Sequence, residues 1–246
     1  MKADEYLVLK IGGEVFENNS ILHSVLNGFM PNVNPQTIYV IIAGGGRRCN
    51  ELRSQYRLDP QAFKNESTYH WKAIKIMGQN AKFIKSQVDL LFRKSNSHLV
   101  TQLDRVKYKY KNVQFFNLYK DFKKRDALSH SWQVSSDSIA LYYGNLLNSP
   151  LCILIKRQPY LTINNEEIKE IKASKLWDHI KIMGYFGNLG KGLVDPMLPS
   201  LILKYNIPVL ILDCLEKRNL SEFFSKYPDN FDDKDLEKYG IAIYPE

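Results

Sequence analysis

Two glycine-rich turns carry the first hint of chemistry. Lys10-Ile11-Gly12-Gly13 closes one apolar run, and Gly44-Gly45-Gly46-Arg47-Arg48 closes another. Glycines let backbone N–H groups approach phosphate oxygens, and a helix starting after the turn adds its positive end. Lys10, at the end of its run, brings a full charge to the same place. A transferred phosphoryl group needs that kind of positioning and neutralisation more than it needs a protein nucleophile. Neither turn has Walker A spacing, and the Rossmann fingerprint is absent. Each turn alone is equally well a strand-to-helix connection. Together, within the first 46 residues, they point to phosphate binding.

A third segment runs from Ala127 to Ala140 and contains Ser135-Ser136-Asp137-Ser138. Serine and aspartate favour helix N-caps, so one reading is a cap and no more. The other makes Asp137 the acceptor that orients Lys10, with the serine hydroxyls on phosphates. Further along, Lys156 and Arg157 follow an apolar run, and Lys191 sits between Gly190 and Gly192. Arg47, Arg48 and Arg53 each could grip a phosphate or carboxylate by a bidentate contact. The alternative for all of these is a solvated side chain.

The elements that must position these groups are legible as patterns. Residues 6–11, 37–42, 151–155 and 208–212 are continuous apolar runs, as expected of strands covered on both faces of a parallel sheet. Between them, residues 67–94, 137–147 and 198–205 have apolar residues spaced by three or four, as in helices. Strands alternating with helices predict an α/β domain with helices on both faces of the sheet. No internal repeat or low-complexity linker divides the 246 residues, so a single domain over 1–246 is expected.

Composition narrows the classes. The chain is 44% apolar and 12% aromatic, which excludes disorder and a disulfide-stapled miniprotein. Thirty-four basic and 26 acidic residues give a net charge of +8, which favours anionic partners without choosing among them. The aromatics form no RNA-recognition motif, so no nucleic-acid partner is expected. Cys49, Cys152 and Cys214 have no CxxC spacing, and no two of the five histidines have metal-ligand spacing. A reducing compartment and no protein-held metal follow. No signal-peptide core follows Met1, and no apolar run reaches about 18 residues. A soluble, cytoplasmic protein without a membrane partner is expected.

The order of Lys10-Ile11-Gly12-Gly13, Gly44-Gly45-Gly46 and the Ser135–Ser138 helix start resembles the amino acid kinase superfamily. Within it, His130-Ser131-Trp132 ahead of Ser135, and Val194-Asp195 followed by Pro199, are similar to the (aminomethylfuranyl)methyl phosphate kinases of methanofuran biosynthesis. The resemblance spans residues 6 to about 224. It implies a three-layer α/β/α sandwich around a mainly parallel sheet of about eight strands. About residues 1–150 would bind the acceptor and about 151–246 the ATP, with Mg²⁺ held mainly by nucleotide phosphates. Lys10 would stabilise the transferring phosphoryl group and Asp137 would hold that lysine. Gly12, Gly13, Ser135, Ser136, Lys156, Arg157 and Lys191 would face the phosphates. Gly44, Gly45, Gly46, Arg47, Arg53, His130 and Trp132 would face a small phosphorylated acceptor. A phosphate acceptor is already nucleophilic, which fits the lack of an obvious general base. A homo-oligomer is also implied.

The chain departs from that pattern after the 151–155 run. Active members usually carry an acidic, glycine-containing turn there; this chain has Lys156-Arg157-Gln158-Pro159-Tyr160. Proline lacks a donor and fixes φ, so the usual backbone path is not reproduced. Either Lys156 and Arg157 meet the ATP phosphates in another way, or nucleotide binding is lost. In the second case the protein is a non-catalytic relative that binds a phosphate-bearing ligand or a partner subunit.

Overall fold

The computed structural model describes residues 5–93, 96–106, 112–182, 193–227 and 233–246. Lys191, with the glycines around it, lies outside the described residues.

The apolar runs become strands: β1 (Glu5–Ile11), β2 (Thr37–Ala43), β3 (Ser97–Val100), β4 (Val113–Phe116) and β5 (Cys152–Lys156). A small separate hairpin follows, β6 (Thr162–Ile163) with β7 (Glu166–Glu167), and then β8 (Glu170–Lys172), β9 (Val209–Asp213) and β10 (Ile241–Tyr244). The main sheet has eight strands in the order β3-β4-β2-β1-β5-β9-β10-β8. From β3 to β9 every pairing is parallel. β10 runs antiparallel to β9 and parallel to β8, so the last two strands point the other way.

The helices are α1 (Gly13–Phe16), α2 (Asn19–Phe29), α3 (Gly46–Leu58), α4 (Glu66–Leu91), α5 (Leu103–Val106), α6 (Tyr119–Arg125), α7 (Ser136–Leu147), α8 (Ala173–Ile182), α9 (Leu198–Tyr205) and α10 (Lys217–Lys226). They cover both faces of the sheet, giving three layers. Side chains alternate along a strand: Leu7, Leu9 and Ile11 join the apolar cluster that includes α2 and α10. Val8 joins the opposite cluster, with α7, α8 and α9. No helix among the described residues is long and apolar enough to cross a membrane.

Two features of this arrangement place the site. The chain leaves β1 for β2 on one side of the sheet and later returns to β5 on the other. The carboxyl ends of β1 and β5 therefore open a crevice at a topological switch point, where open α/β sheets bind ligands. The register of β1 is held partly by Lys10. A slip of one residue would turn Lys10 toward the Leu7–Ile11 cluster and away from Asp137. The loop leading into β5 is tied back onto β1, since the Ser149 hydroxyl accepts from the Val8 amide at 3.2 Å and donates to the Leu151 carbonyl at 2.6 Å.

Candidate functional site

Lys10 and Lys156 end on the same side of the sheet for a geometric reason. Lys10 is paired with Leu154 across β1 and β5, so Lys156 is its diagonal neighbour two residues on. Both lie on the α7 face of the sheet, and both reach Asp137, the second residue of α7. Lys10 Nζ lies 2.9 Å from Asp137 Oδ1, and Lys156 Nζ lies 2.7 Å from Oδ2. The Lys10 contact is an ion pair off the line of a hydrogen bond, whereas Lys156 donates squarely to Asp137 and also to the Leu193 carbonyl. Burial by itself would raise the pKa of Asp137, but the charges of Lys10 and Lys156 hold it well below the usual carboxylate range. Burial also pulls the Lys156 ammonium below its ordinary value, while Asp137 opposes the shift.

Asp195 braces this centre from below. Its carboxylate accepts from the amide and hydroxyl of Ser135 (2.9 and 2.8 Å), the amide and hydroxyl of Ser138 (3.0 and 2.5 Å), and the Leu198 amide (3.0 Å). It thus caps α9 and pins the start of α7 with one side chain. Burial and the nearby Asp137 charge raise its pKa, and the serine hydrogen bonds oppose that. The Ser135 and Ser138 hydroxyls therefore serve Asp195, and Ser135 also caps the Asp137 amide. Sequence reasoning expected the serines to meet phosphates, because a cap and a phosphate ligand use the same residue types.

The glycine turns pack against each other. A Cβ at Gly13 would sit 2.2 Å from the Gly46 Cα, so the two loops can meet only as glycines. The amides of Gly12 and Gly44 are already bonded, to the Ile155 and Ile11 carbonyls at 2.8 Å each. Gly12, expected on the phosphates, and Gly44, expected on the acceptor, therefore have their amides engaged in the sheet crossing. Gly13 opens α1, where helix geometry leaves its amide without an intrahelical acceptor. Gly46 has φ +62°, and beside it the Glu17 carboxylate accepts from the Arg47 amide. Glu17 thus occupies the start of α3, a place sequence reasoning had left for a ligand.

A cavity of about 490 Å³ opens above the lysines. Its floor holds Lys10, Gly13, Glu14, Asp137, Lys156 and Asp195, and its wall includes Leu161, Leu176, Ile180, Val194 and Pro196. Arg53, Trp132, Ser135, Arg157 and His179 line it too. Other expected site residues are elsewhere. Arg47 is exposed and paired with Glu51 at 3.0 Å, and Arg48 is exposed. His130 is absent from the cavity wall: its ring nitrogens bond Ser67 Oγ (2.8 Å) and Asp126 Oδ1 (2.5 Å), and the ring stacks on His70 at 4.8 Å. Ser136 is buried in the first turn of α7. The turn after β5 is held by carboxylates, with Glu14 accepting from the Arg157 amide (3.3 Å) and Asp213 from the Gln158 amide (3.0 Å). Gln158 takes φ +46°, so the chain turns sharply here without a glycine.

No family model matches the chain, and no curated protein matches it in sequence. Solved structures do. The uridylate kinase from Archaeoglobus fulgidus superposes with a TM-score of 0.61 at 14% identity, covering 89% of this chain and 94% of that one. This is the amino acid kinase fold. The UMP kinase from Bacillus anthracis gives 0.60 at 12% identity over 98% and 96%. The aspartate kinase from Synechocystis gives 0.57 at 15% identity, covering 86% of this chain and 38% of that one. At these identities the likeness is one of fold. The amino acid kinase fold accounts for the eight-stranded sheet and for the crevice between β1 and β5.

Proposed function

We propose that the protein is an ATP-dependent phosphotransferase acting on a small phosphorylated acceptor. The observation that carries this reading is the convergence of Lys10 and Lys156 on Asp137 at the floor of the cavity. Two ammonium groups held by one carboxylate leave a net positive charge directed at bound phosphates. Asp137 holds both ammonium groups in place, so they can stabilise negative charge on the transferring group without reorganising. The kinase names of the superposed structures support the same reading.

The residues present fit a nucleotide. The Lys10 and Lys156 ammonium groups sit where phosphates would lie, and the Leu161, Leu176, Ile180 and Val194 side suits a base. Mg²⁺ would be held mainly by the nucleotide's own phosphates and would neutralise their charge. The acceptor would enter from the Arg53–Trp132 side, so residues 1–150 supply most of its contacts and residues 151–246 those of the nucleotide. The finer reading makes the acceptor (aminomethylfuranyl)methyl phosphate and the product its diphosphate. It rests on the His130-Ser131-Trp132 and Val194-Asp195 motifs alone, since the superposed structures are uridylate and aspartate kinases.

One observation favours the second reading, a non-catalytic relative. The Arg157 and Gln158 amides, which could donate to nucleotide phosphates, are taken by Glu14 and Asp213. Calorimetric titration with ATP, with and without Mg²⁺, separates the two, followed by ADP release with small phosphate monoesters, (aminomethylfuranyl)methyl phosphate among them. Micromolar ATP binding and acceptor-dependent ADP release are expected. Lys10→Met and Lys156→Met should each lower kcat by about 10²–10³, as removal of one charge-stabilising donor does. No ATP binding at millimolar concentration refutes the phosphotransfer reading.

A further inference from the structure

We infer that Glu14 is an internal competitor for polyphosphates: its carboxylate holds the Arg157 amide in the empty cavity and must swing away before a polyphosphate binds there. The inference rests on the phosphotransfer reading of the cavity and concerns what controls entry to its floor. Glu14 and Arg157 both line the cavity, beside Lys10 and Lys156. Glu14 Oε1 accepts from the Arg157 amide at 3.3 Å. A Cβ placed on Gly12 would lie 3.6 Å from that same oxygen and 3.7 Å from Lys10 Nζ, so the carboxylate and the ammonium flank one glycine. An oxyanion on a backbone amide beside an ammonium group is the arrangement a phosphate oxygen would take up.

Two other carboxylates on nearby backbone amides lack this freedom. Asp213 accepts from the Gln158 amide at 3.0 Å and from the Leu215 amide at 2.9 Å. It thereby fixes the turn after β9, and it is absent from the cavity wall. Glu17 accepts from the Arg47 amide beside Gly46 and is likewise absent from the wall. Glu14 holds the Arg157 amide by one long hydrogen bond among the described residues, and its side chain is exposed. Such a bond contributes little net stability, so a rotamer change that releases it into solvent costs little.

The exchange selects by charge. Asp137 answers one of the two ammonium groups of Lys10 and Lys156, and Glu14 stands beside what remains. A monoanion that displaces Glu14 replaces one negative charge by another and gains nothing. A polyphosphate brings several charges against the one displaced, and it can span the Arg157 amide and the lysines together.

Inorganic pyrophosphate, titrated by calorimetry without metal or nucleotide, is the probe. Glu14→Gln should bind it about tenfold more tightly than the unaltered protein does, the worth of one like charge removed at short range near a protein surface. Because Glu14 is exposed, the thermal midpoint of the variant should move by less than about 2 °C. Glu17→Gln removes the same charge from outside the cavity wall and should leave pyrophosphate affinity within about twofold. In the unaltered protein the amide resonance of Arg157 should shift as pyrophosphate is added, and Glu14→Gln alone should shift it as well. The assignment is overturned if pyrophosphate does not bind at millimolar concentration, if Glu14→Gln binds it equally or more weakly, or if Glu17→Gln gains as much. An Arg157 amide resonance that pyrophosphate leaves in place overturns it too. Tighter pyrophosphate binding by Glu14→Gln, with no ATP binding by either protein, refutes phosphotransfer and leaves the role of Glu14 standing. ATP-dependent turnover with unchanged pyrophosphate affinity in the variant overturns the role of Glu14 alone.

Discussion

Asp137→Asn keeps the shape of the side chain and removes the single charge that holds two lysines. Both ion pairs, at 2.9 and 2.7 Å, are largely out of solvent, with the carboxylate side chain 5% exposed. Breaking a buried pair by removing one partner costs about 3–5 kcal/mol. Lys156 can soften the loss by releasing its proton, since burial already lowers its pKa. The lower end, about 3 kcal/mol, is therefore expected. At roughly 2–4 °C per kcal/mol for a chain of this size, the thermal midpoint at neutral pH should fall by about 6–12 °C. Differential scanning calorimetry measures this directly. Added pyrophosphate should restore part of the loss, and more of it than it adds to the unaltered protein, because its charge takes the place of the missing carboxylate. In the unaltered protein the stabilisation from Asp137 is complete above the ordinary aspartate pKa of 3.8 and is lost as pH falls through the much lower folded value. A midpoint within about 2 °C of the unaltered protein would show that the lysines do not depend on Asp137, and the argument for a preorganised phosphate site would fail.

Two further outcomes follow from the structure. His70 is buried beside His130, and burial first, then the neighbouring ring, push its pKa from 6.5 down to about 4 while Asp126 opposes the shift. Because the unfolded chain takes up that proton first, stability should fall by about 3 kcal/mol as pH drops from 6.5 to 4. Urea melts of the protein and of His70→Phe across that range check it, the variant showing the shallower slope. Gly13→Ala drives a Cβ to 2.2 Å from the Gly46 backbone and should cost about 1–3 kcal/mol or more in the same melts. Gly144→Ala, with its nearest neighbour at 3.8 Å inside a helix, should be neutral or gain up to about 1 kcal/mol. Equal effects at the two glycines would refute the packed double turn.

Much of the fold was legible from local pattern. The runs at 6–11, 37–42, 151–155 and 208–212 became β1, β2, β5 and β9, and the three periodic stretches became α4, α7 and α9 within a few residues. Buried parallel strands are apolar on both faces, and a long helix must repeat its apolar residues every three or four positions, so both leave marks that one sequence carries. The reversal of β8 and β10 left no such mark, because pairing direction is decided by the partner strand.

The candidate site divides along the same line. Lys10, the two glycine turns and the Ser135–Ser138 helix start could be read because each is a short motif whose residue types have a local reason. What those groups do to one another could not. Lys156 meets Asp137 because β1 and β5 pair in a register that makes it the diagonal neighbour of Lys10, and nothing in residues 151–160 alone states that register. The serine hydroxyls turn to Asp195, about sixty positions away along the chain. Arg53 is selected over Arg47 by which face of α3 looks into the cavity, and His130 is withdrawn by Ser67 and Asp126. Residue type and spacing thus determined which chemistry was available. Strand register and helix orientation, set by packing between distant segments, decided which side chains deliver it.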